Sequence, residues 1–202
     1  MKKTLVIGLL LCLSVPPGCG GDKPNTGNSA PKAHDLSTDH PPTLEGAKAV
    51  LSEFLSKDAP GVKLLAQLKP TQDDLAAVYM PAFVEKATKA EDKLWPAALK
   101  TGGLRGKIDQ TELQLFSATT RELSSWSDET RVAFGDDQNP DRFKKVPLYV
   151  LDGLTFYRFK FVKPGQNYGA VFDLLLVHAN GRWLLIQNPA TIIVHYDEIM
   201  RQ

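Results

Sequence analysis

Much of what would assign a reaction is missing from this chain. Its 202 residues contain two cysteines, and no HExxH, GxSxG, Walker loop, GxGxxG or CxxC pattern occurs, so the commonest zinc, acyl-transfer, nucleotide and redox chemistries have no support. Neither sign of charge is in excess: Lys and Arg number 24, Asp and Glu 23. With Lys2 and Lys3 set aside, 22 basic residues face 23 acidic ones. That balance carries no electrostatic footprint for nucleic acid or for an anionic membrane surface. The apolar run at the amino terminus covers residues 5–15, 11 residues in all, too few to span a bilayer as a helix.

The cysteines point to export rather than to a disulfide. Met1-Lys2-Lys3 followed by the apolar run has the form of a secretory signal, with Cys12 inside the run and Cys19 in Pro16-Pro17-Gly18-Cys19-Gly20-Gly21. Cleavage before Cys19 leaves a single cysteine, which can form no internal disulfide. The pattern resembles bacterial lipoproteins, whose signals end in small residues and then the cysteine that receives the lipid. That resemblance implies lipidation at Cys19 and residence in the cell envelope, with the membrane as partner through the anchor; secretion with a free thiol is the alternative.

Residues 20–42 are Gly, Pro, Asn, Ser, Thr and Lys with hardly an apolar side chain. Such a composition cannot offset its own ordering entropy, so the segment is expected to be a disordered tether. His34, Asp35, Asp39 and His40 lie in it without a scaffold to preset ligand geometry, and they read as solvated. The expected organisation is a signal segment over 1–19, the tether over 20–42 and one α+β domain over 43–197.

Helical spacing opens the domain. Thr43 is placed to cap a helix carrying Leu44, Ala47, Val50, Leu51, Phe54 and Leu55. Asp58 is placed to cap a second with Val62, Leu64, Leu65 and Leu68, stopped by Pro70. Thr71 and Asp74 form a capping box for a third helix, with Leu75, Val78, Tyr79 and Phe83, that Pro81 must restart or kink. Tyr79, Phe83 and Trp95 at that spacing read as core. The period then changes. Residues 112–118 read as a strand, Thr119 or Thr120 as the cap of a short helix through Leu123 and Trp126, and 127–145 as a long charged loop. Asp128, Glu129, Asp136, Asp137 and Asp141 lack the spacing of a calcium loop. No metal or cofactor is expected.

Three strands close the domain. Residues 154–162 are aromatic and β-branched, 163–167 break the run, and 168–178 are so continuously apolar that both faces must be covered. Asn180-Gly181 is a type I′ hairpin signal, and counting outward from it pairs Ala179 with Arg182, His178 with Trp183, Val177 with Leu184, Leu175 with Ile186 and Asp173 with Asn188. His178 reads as half-buried beside Trp183, and His195 has no ligand-spaced neighbour. Asp173, the one charge in its run, shares the apolar face with Asn188. A five-residue loop over 163–167 sets Tyr157 opposite it and makes a Tyr157–Asp173–Asn188 candidate pocket. A two- or four-residue turn sets Arg158 there and makes an ordinary ion pair.

Helices followed by antiparallel strands imply an α+β fold with N-terminal helices packed on one face of a curved, cone-like antiparallel sheet. The stretch FYRFKFVKPGQNYGAVFDLLLVHANGRWLLIQNP, residues 156–189, resembles the closing strands of the ketosteroid-isomerase-like (nuclear-transport-factor-two-like) superfold, and an uncharacterised group of exported bacterial proteins with a KPG turn and an NGRW hairpin. The superfold holds enzymes, carriers and binding modules, so the resemblance implies a fold and no reaction. Two functions stand. One is an envelope-tethered, non-catalytic module binding a small ligand or an envelope protein. The other is a small enzyme using Asp173 for proton transfer or hydrolysis.

Overall fold

The computed structural model describes residues 40–56, 61–100, 104, 109–135 and 141–202. The signal segment, Cys19, residues 20–39 of the expected tether, Asp58, Asp136 and Asp137 lie outside them. The elements run α1 (Leu44–Ser52), α2 (Gly61–Gln67), α3 (Gln72–Ala76), α4 (Pro81–Lys100), β1 (Glu112–Thr119), α5 (Thr120–Ser125), α6 (Asp128–Phe134), β2 (Thr155–Val162), β3 (Gly169–Val171), β4 (Leu174–Ala179), β5 (Arg182–Gln187), α7 (Pro189–Val194) and α8 (Tyr196–Arg201). Four helices precede an open antiparallel sheet of order β1-β2-β4-β5, with β3 also on β2, which is the expected α+β class.

Short-range chemistry sets most boundaries. The Thr43 side chain accepts from the Gly46 N–H at 3.2 Å and starts α1. In the α3 capping box, Asp74 N–H donates to Thr71 Oγ1 at 3.2 Å and Thr71 N–H to Asp74 Oδ2 at 2.8 Å. Thr119 and Glu122 repeat that box for α5. Because proline has no N–H and its φ suits a first helical turn, Pro81 begins a new helix. Tyr79, between the two helices, bridges to Val150 instead.

The hairpin register is the one counted from the sequence, with Asn180 at φ 52° and Gly181 at φ 74° in the left-handed region that a type I′ turn requires. The other connection differs from expectation. Lys163 C=O accepts from Gln166 N–H at 3.0 Å with Gly165 at φ 71°, so Pro164-Gly165 makes a type II turn. Val162 then pairs with Gly169 rather than Tyr168. A Cβ at Gly169 would lie 1.9 Å from the Phe161 carbonyl oxygen, so only glycine permits this approach. The single strand expected over 168–178 is two. Lys160 pairs with Val171 and Phe156 with Val177, so the second strand carries two extra residues and bulges at Phe172-Asp173.

Helices cover both faces of the sheet, not one. On the first face Phe156, Leu175, Val177, Leu184 and Ile186 pack with Leu75, Ala87, Phe134, Phe143 and Ile192. On the second, Tyr157, Phe159, Phe161, Leu176, Trp183 and Leu185 pack with Val50, Leu51, Leu64, Leu65 and Trp95. The physical reason was visible in β4, whose consecutive apolar positions leave no face for water.

Three further departures concern order. His40 C=O accepts from Trp183 Nε1–H at 2.9 Å, so defined structure starts three residues before Thr43. The charged stretch expected as a loop contains α6, capped by Ser127, whose Phe134 packs edge-on to Phe143 at a centroid distance of 5.2 Å. The C-terminal tail is α7 and α8.

Candidate functional site

Strand alternation separates the residues expected to form one pocket. Tyr157 pairs with Leu176 on the second face, its ring edge-on to Trp183 at 5.5 Å. Asn188 N–H donates to Asp173 C=O at 2.9 Å, as counted, but the Asn188 side chain caps α7 by accepting from Ala190 N–H at 3.0 Å. The Asp173 carboxylate meets Arg142 at 3.0 Å, both side chains about three-quarters buried (28% and 27% exposed). The Tyr157–Asp173–Asn188 group is therefore not assembled. The five-residue loop that would align Tyr157 with Asp173 does not occur, and Asp173 finds a partner more than 30 residues away that no spacing rule indicates.

The remaining candidates have local roles. His178 packs edge-on to Trp183 at 5.2 Å, and burial lowers its pKa. His195 Nδ1 lies 3.1 Å from Glu198. Asp128 pairs with Arg131 at 3.1 Å, and Asp141 accepts from Trp126 Nε1–H at 2.8 Å. Arg158 and Lys160, both buried, lie over the Phe116 ring and donate to the backbone carbonyls of Gly135 and Asn167. They fasten the end of α6 and the β2–β3 connection to the sheet.

The strongest site is one the sequence reading passed over. Helix α4 presents Ala87, Ala90, Glu91 and Trp95 inward, a helical stripe in which position 91 is a carboxylic acid. Glu91 is 1% exposed. Its Oε1 accepts from Gln187 N–H at 2.8 Å, while Leu185 N–H donates to Leu68 C=O at 2.9 Å. These alternate N–H groups of β5 face away from β4, so α4 and the α2–α3 connection close a sheet edge that would otherwise be open.

The other oxygen, Glu91 Oε2, has no hydrogen-bond partner, nor have Tyr79 Oη and Trp95 Nε1. Burial is the main cause that pushes the Glu91 pKa up to about 8, against the Gln187 N–H, Trp95 and Lys69, which favour the ionised form. The Trp95 indole is thus near the carboxyl without a bond of normal geometry. Tyr79 is raised well above the usual phenol range by burial and by Glu91. A carboxyl raised that far is mostly protonated at neutral pH.

Glu91 forms the inner wall of a cleft of about 480 Å³, bounded by Lys69, Pro70 and Thr71 on one side and Thr88 and Asp92 on the other. Its mouth carries two ion pairs. Lys69 and Asp92 are 3.2 Å apart and well exposed. Arg182 Nη1 is 3.0 Å from Asp74 Oδ2, and its other amino group donates to Gln67 C=O. Both cations are engaged, Lys69 by Asp92 within the lining and Arg182 by Asp74 behind it. The signal available in the sequence was the acid at a stripe position four residues before Trp95, hidden among neighbouring charges.

Among the described residues no three His, Cys, Asp or Glu are grouped to hold a metal, and no helix is long and apolar enough to cross a membrane. In comparisons with known proteins, no family model, no curated protein and no solved structure matches the chain.

Proposed function

We propose that the chain is an exported, lipid-anchored module of a bacterial cell envelope that binds a small molecule in the cleft at Glu91 and performs no reaction on it. The observation that carries this reading is a buried acid, lining an open cleft, whose second oxygen has no hydrogen-bond partner of normal geometry. Buried polar atoms in native proteins nearly always have partners, and an exception beside a cavity marks a place for one from outside. A carboxyl protonated at neutral pH donates well and is a poor base, which favours binding over proton abstraction. The alternative through Asp173 is weakened, because that carboxylate is neutralised by Arg142 and has no Tyr157 beside it.

Export and anchoring rest on the signal-like start, on Cys19 and on the resemblance to exported bacterial proteins. Cys19→Ala is expected to move the protein from the membrane to the soluble fraction, and mass spectrometry of the native N-terminus should find a lipidated Cys19. An unmodified cysteine or cleavage elsewhere removes this half of the proposal. For the cleft, native mass spectrometry of protein taken from the host without denaturant should show a bound small molecule. Thr88→Trp, which fills the cleft from α4, should abolish it. A mass equal to the bare chain in both proteins refutes occupancy.

A further inference from the structure

The two edges of the sheet are finished differently. That of β5 is closed by Glu91 and the Leu68 carbonyl, whereas β1 is paired with β2 alone and ends the order β1-β2-β4-β5. The ladder shows which groups of β1 point outward. Thr120 N–H donates to the Leu154 carbonyl at 2.8 Å, one step beyond the Thr119–Thr155 pair, so the even-numbered residues of β1 bond to β2 and the odd-numbered ones face away. Thr119 N–H is taken by Glu122 Oε2 at 2.7 Å. Among the described residues, nothing pairs with the outward N–H and C=O groups of Leu113, Leu115 and Ser117.

Exposed edges of native sheets normally carry a charge, a proline or a bulge that discourages pairing. From Leu113 to Thr119 β1 has none of these. Its side chains also reach water: Leu113, Leu115 and Phe116 are half-buried and Ser117 is exposed, beside a cleft of about 470 Å³ that Val132 of α6, 79% exposed, also lines. The strand is nonetheless held in place, since Gln114 Nε2 donates to the Gln166 carbonyl at 3.1 Å and to Asn167 Oδ1 at 3.2 Å.

We propose that β1 pairs antiparallel with β1 of a second copy of this chain, about a two-fold axis at Leu115, so that one sheet continues across two molecules. The open run itself selects a second copy. A two-fold axis normal to the sheet keeps every residue on its own face, and three outward residues centred on Leu115 are then complementary to themselves: Leu115 faces its counterpart, and Leu113 faces Ser117 on either side. At two bonds per facing pair this register makes about six backbone hydrogen bonds. Glu112, the only charge in the strand, falls opposite Ala118, so no like charges meet. One strand per copy makes a small contact, and a Kd of micromolar order is expected.

Disulfide trapping tests the register in the full chain carrying Cys12→Ser and Cys19→Ser. On that background Leu115→Cys sets two thiols across the axis at a Cα separation of about 5.5 Å, within disulfide reach, and mild oxidation should give a covalent dimer. Glu112→Cys, about 20 Å from its own counterpart, should not. Ser117→Pro removes an outward N–H that β2 does not use, so it should abolish trapping through Leu115→Cys and leave the melting temperature within a few degrees. Amide exchange needs no substitution and decides the matter if a variant fails to fold. The Leu115 and Ser117 N–H groups should exchange more slowly as the concentration rises from about 1 to 200 μM. No trapping at position 115, equal trapping at 112 and 115, or exchange at these amides that does not change with concentration overturns the proposal.

Discussion

Glu91→Gln is expected to melt about 10 °C above the wild type at pH 9 and within a few degrees of it at pH 5. The sign follows from proton uptake. In the unfolded chain Glu91 titrates near 4.5, and in the folded protein near 8. Between these values the folded state holds a proton that the unfolded state has released, so rising pH favours unfolding across the window and has no further effect above it. At ~1.4 kcal/mol per pH unit the loss over this window is on the order of 5 kcal/mol. Glutamine has no proton to lose and keeps the oxygen that accepts from Gln187 N–H, so its stability lacks this decline. Its amide N–H₂ replaces the acid O–H among the same orphaned groups, which is why little change is expected at pH 5. Parallel stability curves for the two proteins from pH 4.5 to 8 would show that Glu91 is not held neutral.

Asp74→Ala should cost about 3–4 kcal/mol, an effect out of scale with a helix cap. Asp74 is 1% exposed and accepts from Thr71 N–H and Oγ1, both at 2.8 Å, from Asn180 Nδ2 at 3.0 Å and from Arg182 at 3.0 Å. One carboxylate therefore caps α3 and locks it to the β4–β5 turn, more than 100 residues along the chain. Alanine leaves Arg182 half-buried without its counter-charge, whereas Thr71→Ala removes only cap bonds and should cost about 1 kcal/mol. Burial alone would raise the Asp74 pKa, but the hydrogen bonds from Thr71 and Asn180 and the charge of Arg182 outweigh it and hold the carboxyl below 3.8. Its contribution is thus present above that value and is lost as pH falls through the lower folded-state pKa. Chemical denaturation at pH 7 and pH 3 measures both statements. Equal costs for Asp74→Ala and Thr71→Ala at pH 7 would mean that the long-range lock contributes nothing.

The resulting picture of the site is of one acid bonded at a strand edge and another bonded at a turn, on either side of the same connection. Arg182 joins the two regions, since it meets both Asp74 and the carbonyls of Gln67 and Lys69 that lead into the cleft. Loss of Asp74 is accordingly expected to loosen the cleft wall, while Glu91→Gln is not.

What could be read along the chain was whatever a few consecutive residues decide. Thr43, Thr71 with Asp74, and Pro81 mark helix starts because capping and the missing proline N–H act over a single turn. Asn180-Gly181 gives the β4–β5 register as far as Asp173 and Asn188 because two positive-φ residues admit one hairpin geometry. Contacts between distant segments were not readable in this way. The bulge at Phe172-Asp173 depends on how β2 meets two strands at once, and it determines that Tyr157 and Asp173 lie apart. Arg142 reaches Asp173 from a stretch whose charges resembled a solvated loop, and α6 is held there by Phe134 and Phe143 meeting in the core. Glu91 stands among the lysines and acids of α4, a stretch in which only the aromatic positions read as core. Its burial follows only from α4 lying along β5, where an unpaired backbone N–H requires an acceptor and a carboxyl removed from water keeps its proton.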